Sequence, residues 1–175
     1  MEPEAPGLAP ATIRRLKQGW HAELSQWQGR SLQGTRYIYC WVDGVDCETR
    51  LEDARHGILV IIGADTQGHK ARVGLWEGYR ERAPSWKALW LDLQRHGLEP
   101  GPALAIGDGA WGFGQALRPV DGQTRWPRCW VPTTAKVLAK LPKDVQPQAT
   151  QRLQAIWLAP DRQRAELAFD LFIAT

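Results

Sequence analysis

The sequence predicts an α/β domain, a mixed β-sheet flanked by helices, and three observations lead there. Residues 37–42 and 58–62 are aromatic and β-branched runs without charge, the composition of strands inside a sheet. Between and after them, apolar residues recur at helical spacing, as in Trp86, Leu89, Trp90 and Leu93. At 175 residues, 43% hydrophobic and 23% charged, the chain has enough apolar material for one domain core, which excludes wholesale disorder.

Residues 1–10, rich in Pro, Ala and Glu without periodicity, read as a tail or as the cut end of something longer. Ile13, Leu16, Trp20, Leu24 and Trp27 then mark an amphipathic helix, with Thr12 as its expected cap, packing on the domain or on a partner. Tyr37-Ile38-Tyr39-Cys40-Trp41-Val42 predicts a buried central strand ending at Asp43. A more polar strand is expected around residues 49–51, and Ile58-Leu59-Val60-Ile61-Ile62 predicts another interior strand. Asp65-Thr66-Gln67-Gly68 is a turn sequence, so residues 72–76 should return as a strand. Pro84-Ser85 opens a helix that should close at Gly97 and cover one sheet face.

Leu104-Ala105-Ile106-Gly107 predicts a short strand ending at Asp108, and the glycine-rich 109–114 leads into a helix through Leu117. Cys129-Trp130-Val131 reads as a further strand, 133–141 as a basic helix, and 147–157 and 161–174 as two more helices. Leu167, Phe169, Leu171 and Phe172 carry the last pattern to Thr175 without a stop signal, so it is expected to be cut short there. The expected division is a tail and linker helix (1–36), a core (37–145) and the beginning of a helical segment (146–175).

Other readings bound the function. The longest apolar run, residues 57–63, is far too short to cross a bilayer, and no charged-then-apolar leader opens the sequence; a cytoplasmic protein is expected. Cys40, Cys47 and Cys129 form no C-x-x-C pair, which predicts reduced thiols and no sulfur-bound metal. The ten Trp residues read first as core and groove fillers, with base stacking as the sharper alternative. Charge is uneven: Arg118, Arg125, Arg128, Lys136, Lys140 and Lys143 face only Asp121, a local net of +5. Such a stretch gains free energy on a phosphate backbone by releasing counterions, although a solvated basic face is the commoner explanation.

Asp43 and Asp108 each close a predicted strand and each precede a glycine. If those strands are neighbours, the two carboxylates converge and offer the oxygen ligands that hard divalent cations need. Spacing alone makes this weak, because Asp-Gly after a strand is more often a plain turn.

Seven motifs in order sharpen it: Trp41-Val42-Asp43-Gly44, Arg50-Leu51-Glu52-Asp53, Val60-Ile61-Ile62-Gly63-Ala64-Asp65, Glu77-Gly78-Tyr79-Arg80-Glu81, Gly107-Asp108-Gly109-Ala110, Arg128-Cys129-Trp130-Val131 and Ala135-Lys136-Val137-Leu138. In these the chain resembles mutator-type bacterial insertion-sequence transposases, over nearly its whole length. The resemblance implies an RNase H-like fold in the order strand, strand, strand, helix, strand, helix. It also implies a DDE mechanism in which two Mg²⁺ or Mn²⁺ ions, held by two Asp and one Glu, cut and join DNA at element ends. Asp43 matches the first carboxylate and Asp108 the second, and the partners implied are DNA and further transposase subunits.

The family's third carboxylate lies beyond a helical insertion within which this sequence is expected to stop. Glu166 falls too early to match it and reads as an exposed helix residue. Where family members carry Cys, two residues, then His, this sequence has Cys129 and Pro132, so a supporting role of Cys129 is put in doubt. Two other functions compete: a non-catalytic DNA-binding or subunit-interaction remnant that regulates intact transposase, and a self-sufficient nuclease completed by Glu77 or Glu166.

Overall fold

A computed structural model describes residues 9–46, 57–79, 82–109 and 111–174. The expected strand at 49–51, most of the N-terminal tail and Cys47 lie outside them. Helix α1 (Pro10–Gln28) precedes strands β1 (Tyr37–Asp46), β2 (Gly57–Asp65) and β3 (Lys70–Gly78). Helix α2 (Ala83–Arg95), strand β4 (Leu104–Gly107) and helix α3 (Trp111–Leu117) follow, then α4 (Trp130–Leu138), α5 (Gln146–Trp157) and α6 (Arg162–Ile173).

The sheet order is β3-β2-β1-β4. β1 runs antiparallel to β2, β2 antiparallel to β3, and β4 returns parallel to β1 after the crossover through α2. The succession strand, strand, strand, helix, strand, helix and the mixed directions give the chain its RNase H-like architecture.

Alternation along the strands shows what holds the sheet down. Cys40, Val42, Leu59, Ile61, Val73 and Ala105 are buried against the helices. α2 contributes Trp86, Leu89, Trp90 and Leu93, all buried, at the spacing of one helix face. Phe113 of α3 completes the layer edge-on to two indoles, with ring centroids 5.3 Å from Trp86 and 5.8 Å from Trp90. Burial also pushes the Cys40 thiol up to about 12, which leaves it a protonated core side chain and not a ligand. Both described cysteines, Cys40 and Cys129, are free thiols.

The opposite sheet face is more open than expected for interior strands, since Tyr39, Val45, Ile58 and Ile62 are exposed on it. β1 and β2 are central in the order, but α2 lies against the other face, together with α3. Helix α1 has no buried residue; of its apolar stripe Ile13, Trp20 and Leu24 are exposed, while Leu16 and Trp27 are half-buried. It is tied down only at its end, where Gln28 Nε2 donates to Leu75 O (2.8 Å) and Arg30 to Val73 O (3.1 Å) on the edge strand. Thr12 does not cap it: the helix begins at Pro10, whose missing N–H costs nothing in the first turn.

α2 closes as its sequence promises. Gly97 takes φ +101°, Gly97 N–H donates to Gln94 O (3.0 Å) and Leu98 N–H to Leu93 O (2.9 Å), a Schellman motif with both leucines buried. The expected strand at 129–131 is displaced toward the N-terminus. Arg125 and Arg128 bridge in parallel to Leu104 and Gly107 of β4, and Trp130 already begins α4. Pro127 interrupts the ladder because it has no N–H, and Pro132 fits the first turn of α4, where the N–H has no intrahelical acceptor. α4 packs on α5 and α5 on α6, around Ala149, Leu153 and Ile156. Asp161 caps α6 by accepting from Arg164 N–H at 2.8 Å.

One close approach makes a direct stability prediction. A Cβ on Gly63 would lie 2.5 Å from Tyr37 Cδ1 and 2.7 Å from Val73 Cγ2. Gly63→Ala is therefore expected to destabilise the domain by about 1–3 kcal/mol through overpacking, read as a lowered urea midpoint with an unchanged slope. An unchanged midpoint would mean that Tyr37 swings aside freely.

Candidate active site

The parallel pairing of β1 and β4 builds the site. Only parallel neighbours bring their C-terminal ends to the same edge of a sheet. The last matched pair is Val42 with Gly107, so the next residues, Asp43 and Asp108, lie side by side. β1 does not end at Asp43, as its Asp-Gly sequence predicts, but continues to Asp46, with Asp43 opposite Val60 and Gly44 opposite Leu59 on β2. Asp43 is thus a strand residue beside the end of β4 rather than the start of a turn.

Local contacts shape the site around both carboxylates. Asp43 Oδ1 accepts from Gly44 N–H at 2.9 Å. A Cβ on Gly107 would lie 2.9 Å from Val42 Cγ2, so a glycine lets β4 close up against β1 at this level. After Asp108, Gly109 takes φ +94°, and a Cβ there would meet Arg128 Nε at 3.0 Å and Cδ at 3.1 Å. The Arg128 side chain therefore lies across Gly109. Asp43, Asp108, Trp126 and Arg128 line one cleft, which leaves about 10 Å³ for the centre of a water-sized body, room for about one.

The donors suit a hard divalent cation in kind, being carboxylate oxygens. Among the described residues no group of three or more His, Cys, Asp or Glu converges, so a third ligand is not supplied there. Glu166 does not line the cleft and accepts from Arg162 Nε at 2.6 Å on the exposed face of α6, as an exposed helix residue should. Glu77 lies on edge strand β3, separated from β4 by two strands. Neither acid reaches the Asp pair.

Of the six cations between residues 118 and 143, all are exposed. Only Arg128 lines the cleft; Arg118 follows α3, Arg125 bridges the outer edge of β4, Lys136 is on α4, and Lys140 and Lys143 lie between α4 and α5. Cys129 meets β4 and α4 through its backbone: its N–H donates to Gly107 O at 2.5 Å and its carbonyl accepts from Thr133 Oγ1 at 2.8 Å. Trp126 is the cleft residue that periodicity does not find, because it sits in no helix or strand.

The family profile described as Transposase, Mutator family matches residues 5–175. The chain belongs to the Mutator family of transposases. It is 45% identical over 177 residues to the transposase for insertion sequence element IST2 of Acidithiobacillus ferrooxidans, covering 97% of this chain and 57% of that protein. It is 41% identical over 168 residues to the transposase for IS6120 of Mycolicibacterium smegmatis, covering 96% of this chain and 52% of that one. This Mutator-family chain thus spans about half the length of these relatives. Among solved structures, a chain of the simian T-cell lymphotropic virus intasome is similar over 79% of this chain and 48% of its own, with 12% identity and a TM-score of 0.40. The catalytic core of HTLV-2 integrase in complex with magnesium is similar over 79% and 85%, with 13% identity and a TM-score of 0.36.

Proposed function

We propose that this chain is the DNA-handling core of an insertion-sequence transposase, with Asp43 and Asp108 as two of the three carboxylates of a DDE site. The register that sets Asp43 beside Asp108 carries this reading. In this assignment residues 37–145 hold the chemistry, 1–36 are the N-terminal tail and linker helix, and 146–175 begin the helical insertion. Mg²⁺ or Mn²⁺ held by the Asp pair would activate the attacking oxygen and stabilise the leaving oxygen of a phosphodiester displacement.

The chain's own residues do the rest. Asp43 and Asp108 present adjacent carboxylates at the sheet edge, and Arg128 beside them neutralises a phosphate brought to the cleft. Arg118, Arg125, Lys136, Lys140 and Lys143 hold the flanking backbone. The exposed cations from Arg118 to Lys143 also fit a second reading: a non-catalytic DNA-binding partner that assembles with intact transposase and lowers its activity. No described helix is long and apolar enough to cross a membrane.

A gel shift on a short duplex across a salt series tests the DNA contact. Binding should weaken with salt, and Lys136→Ala with Lys140→Ala should lower the log–log slope by about two. No shift even at low salt would overturn the reading.

A further inference from the structure

We propose that Trp126 and Arg128 form a subsite for one unpaired nucleotide next to the scissile phosphate, Trp126 stacking on its base and Arg128 holding its phosphate. The inference rests on the reading of Asp43 and Asp108 as the reacting site, and adds what the strand must look like there.

Residues 125–128 run beside β4, bridged at Arg125 and Arg128. Trp126 and Arg128 are two apart and line the same cleft as Asp43 and Asp108. Trp126 is not a core residue, since it remains 42% exposed, whereas Trp86 and Trp90 are 2% and 1% exposed. Its position is nonetheless fixed. A Cβ on Gly114 would lie 2.6–2.8 Å from Cη2, Cζ3 and Cζ2, so the six-membered ring rests directly on that glycine of α3. A large apolar ring held in place at a cleft that carries two carboxylates and a guanidinium is a stacking platform whose ordering has already been met in folding.

The cleft itself admits about one water, so a base cannot enter it and must lie at its mouth, where the indole is exposed. A base within an intact duplex has both faces stacked, so the occupant is a nucleotide out of its stack. Arg128, its stem laid across Gly109, presents a planar guanidinium, a group suited to forked hydrogen bonds to phosphate oxygens. Stacking does not read sequence, so this subsite selects for strand state and not for a particular base.

The test is fluorescence anisotropy at fixed salt with three labelled substrates: a blunt duplex, the same duplex with a three-nucleotide overhang, and that overhang made abasic. The wild-type chain should bind the intact overhang about tenfold more tightly than the abasic one, the range of a single stacking contact. Trp126→Ala should reduce that ratio to about one, and Trp126→Phe, which keeps a ring, should retain most of it. Gly114→Val, which displaces the indole while leaving residue 126 unchanged, should also lower the ratio. Equal wild-type binding to intact and abasic overhangs overturns the subsite alone, as does a ratio that survives Trp126→Ala. Failure to bind any of the three at low salt overturns the DNA-handling reading, and the subsite with it.

Discussion

Asp43→Asn and Asp108→Asn are each expected to weaken Mn²⁺ binding at least about tenfold, a loss of ~1.4 kcal/mol or more. Titration of the free-ion electron paramagnetic resonance signal reads this directly. The argument is one of charge and not of shape, because Asn keeps the size and one oxygen of Asp but removes the anion that a hard cation requires. Asn is nearly isosteric with Asp, so each variant should still unfold in one cooperative transition, which separates loss of a ligand from loss of structure. Mn²⁺ should raise the melting temperature of the wild type, since a ion that binds only the folded chain stabilises it by mass action, and should leave the double variant unchanged. Unaltered Mn²⁺ affinity in both single variants would remove Asp43 and Asp108 from the metal site and leave the cleft without one.

What the sequence shows of this site, and what it hides, follows from which contacts are local. The α2 stripe and its closure at Gly97 are legible because every contact that defines them lies within a few residues. The element order from β1 to α3 is legible for the same reason. Asp43 is visible as a candidate, but its setting is not: Asp-Gly reads locally as a turn, and β1 continues only because Leu59 and Ile58 on β2 pair with Gly44 and Val45. The segment beside β4 is misplaced by a few residues for a similar reason. Cys129-Trp130-Val131 has strand composition, yet the tertiary pairing selects Arg125 and Arg128, and Pro132 suits a helix start. Apolar periodicity announces that Ile13, Trp20 and Leu24 share a helix face, but not what covers it, and they are exposed. That Trp126, among the ten Trp residues, stands exposed at the cleft is hidden, since it depends on Gly114 under its ring and on Asp43 and Asp108 lining the same cleft from distant parts of the sequence.

Trp90→Ala is expected to cost about 3–5 kcal/mol, the range for removing a large aromatic from a closed core. Trp90 is 1% exposed and edge-on to Phe113, which also packs against Trp86, so its removal leaves a cavity between α2 and α3. Trp90→Phe is expected to behave differently. The indole Nε1 is buried without a hydrogen-bond partner among the described residues, a donor whose desolvation costs about 1–3 kcal/mol. Phe removes that donor while keeping most of the ring, so the lost packing is partly offset and the net cost should stay below about 1.5 kcal/mol. Urea denaturation of both variants measures the difference. The consequence reaches the cleft, because Phe113 anchors α3 and α3 carries Gly114, on which Trp126 rests. In Trp90→Ala the preference for an intact overhang should therefore fall under conditions where the chain is still folded, while Trp90→Phe preserves it. Equal destabilisation by Phe and Ala would mean that the indole N–H is satisfied in solution. A preserved preference in a folded Trp90→Ala chain would mean that the platform under Trp126 stands independently of the α2–α3 core.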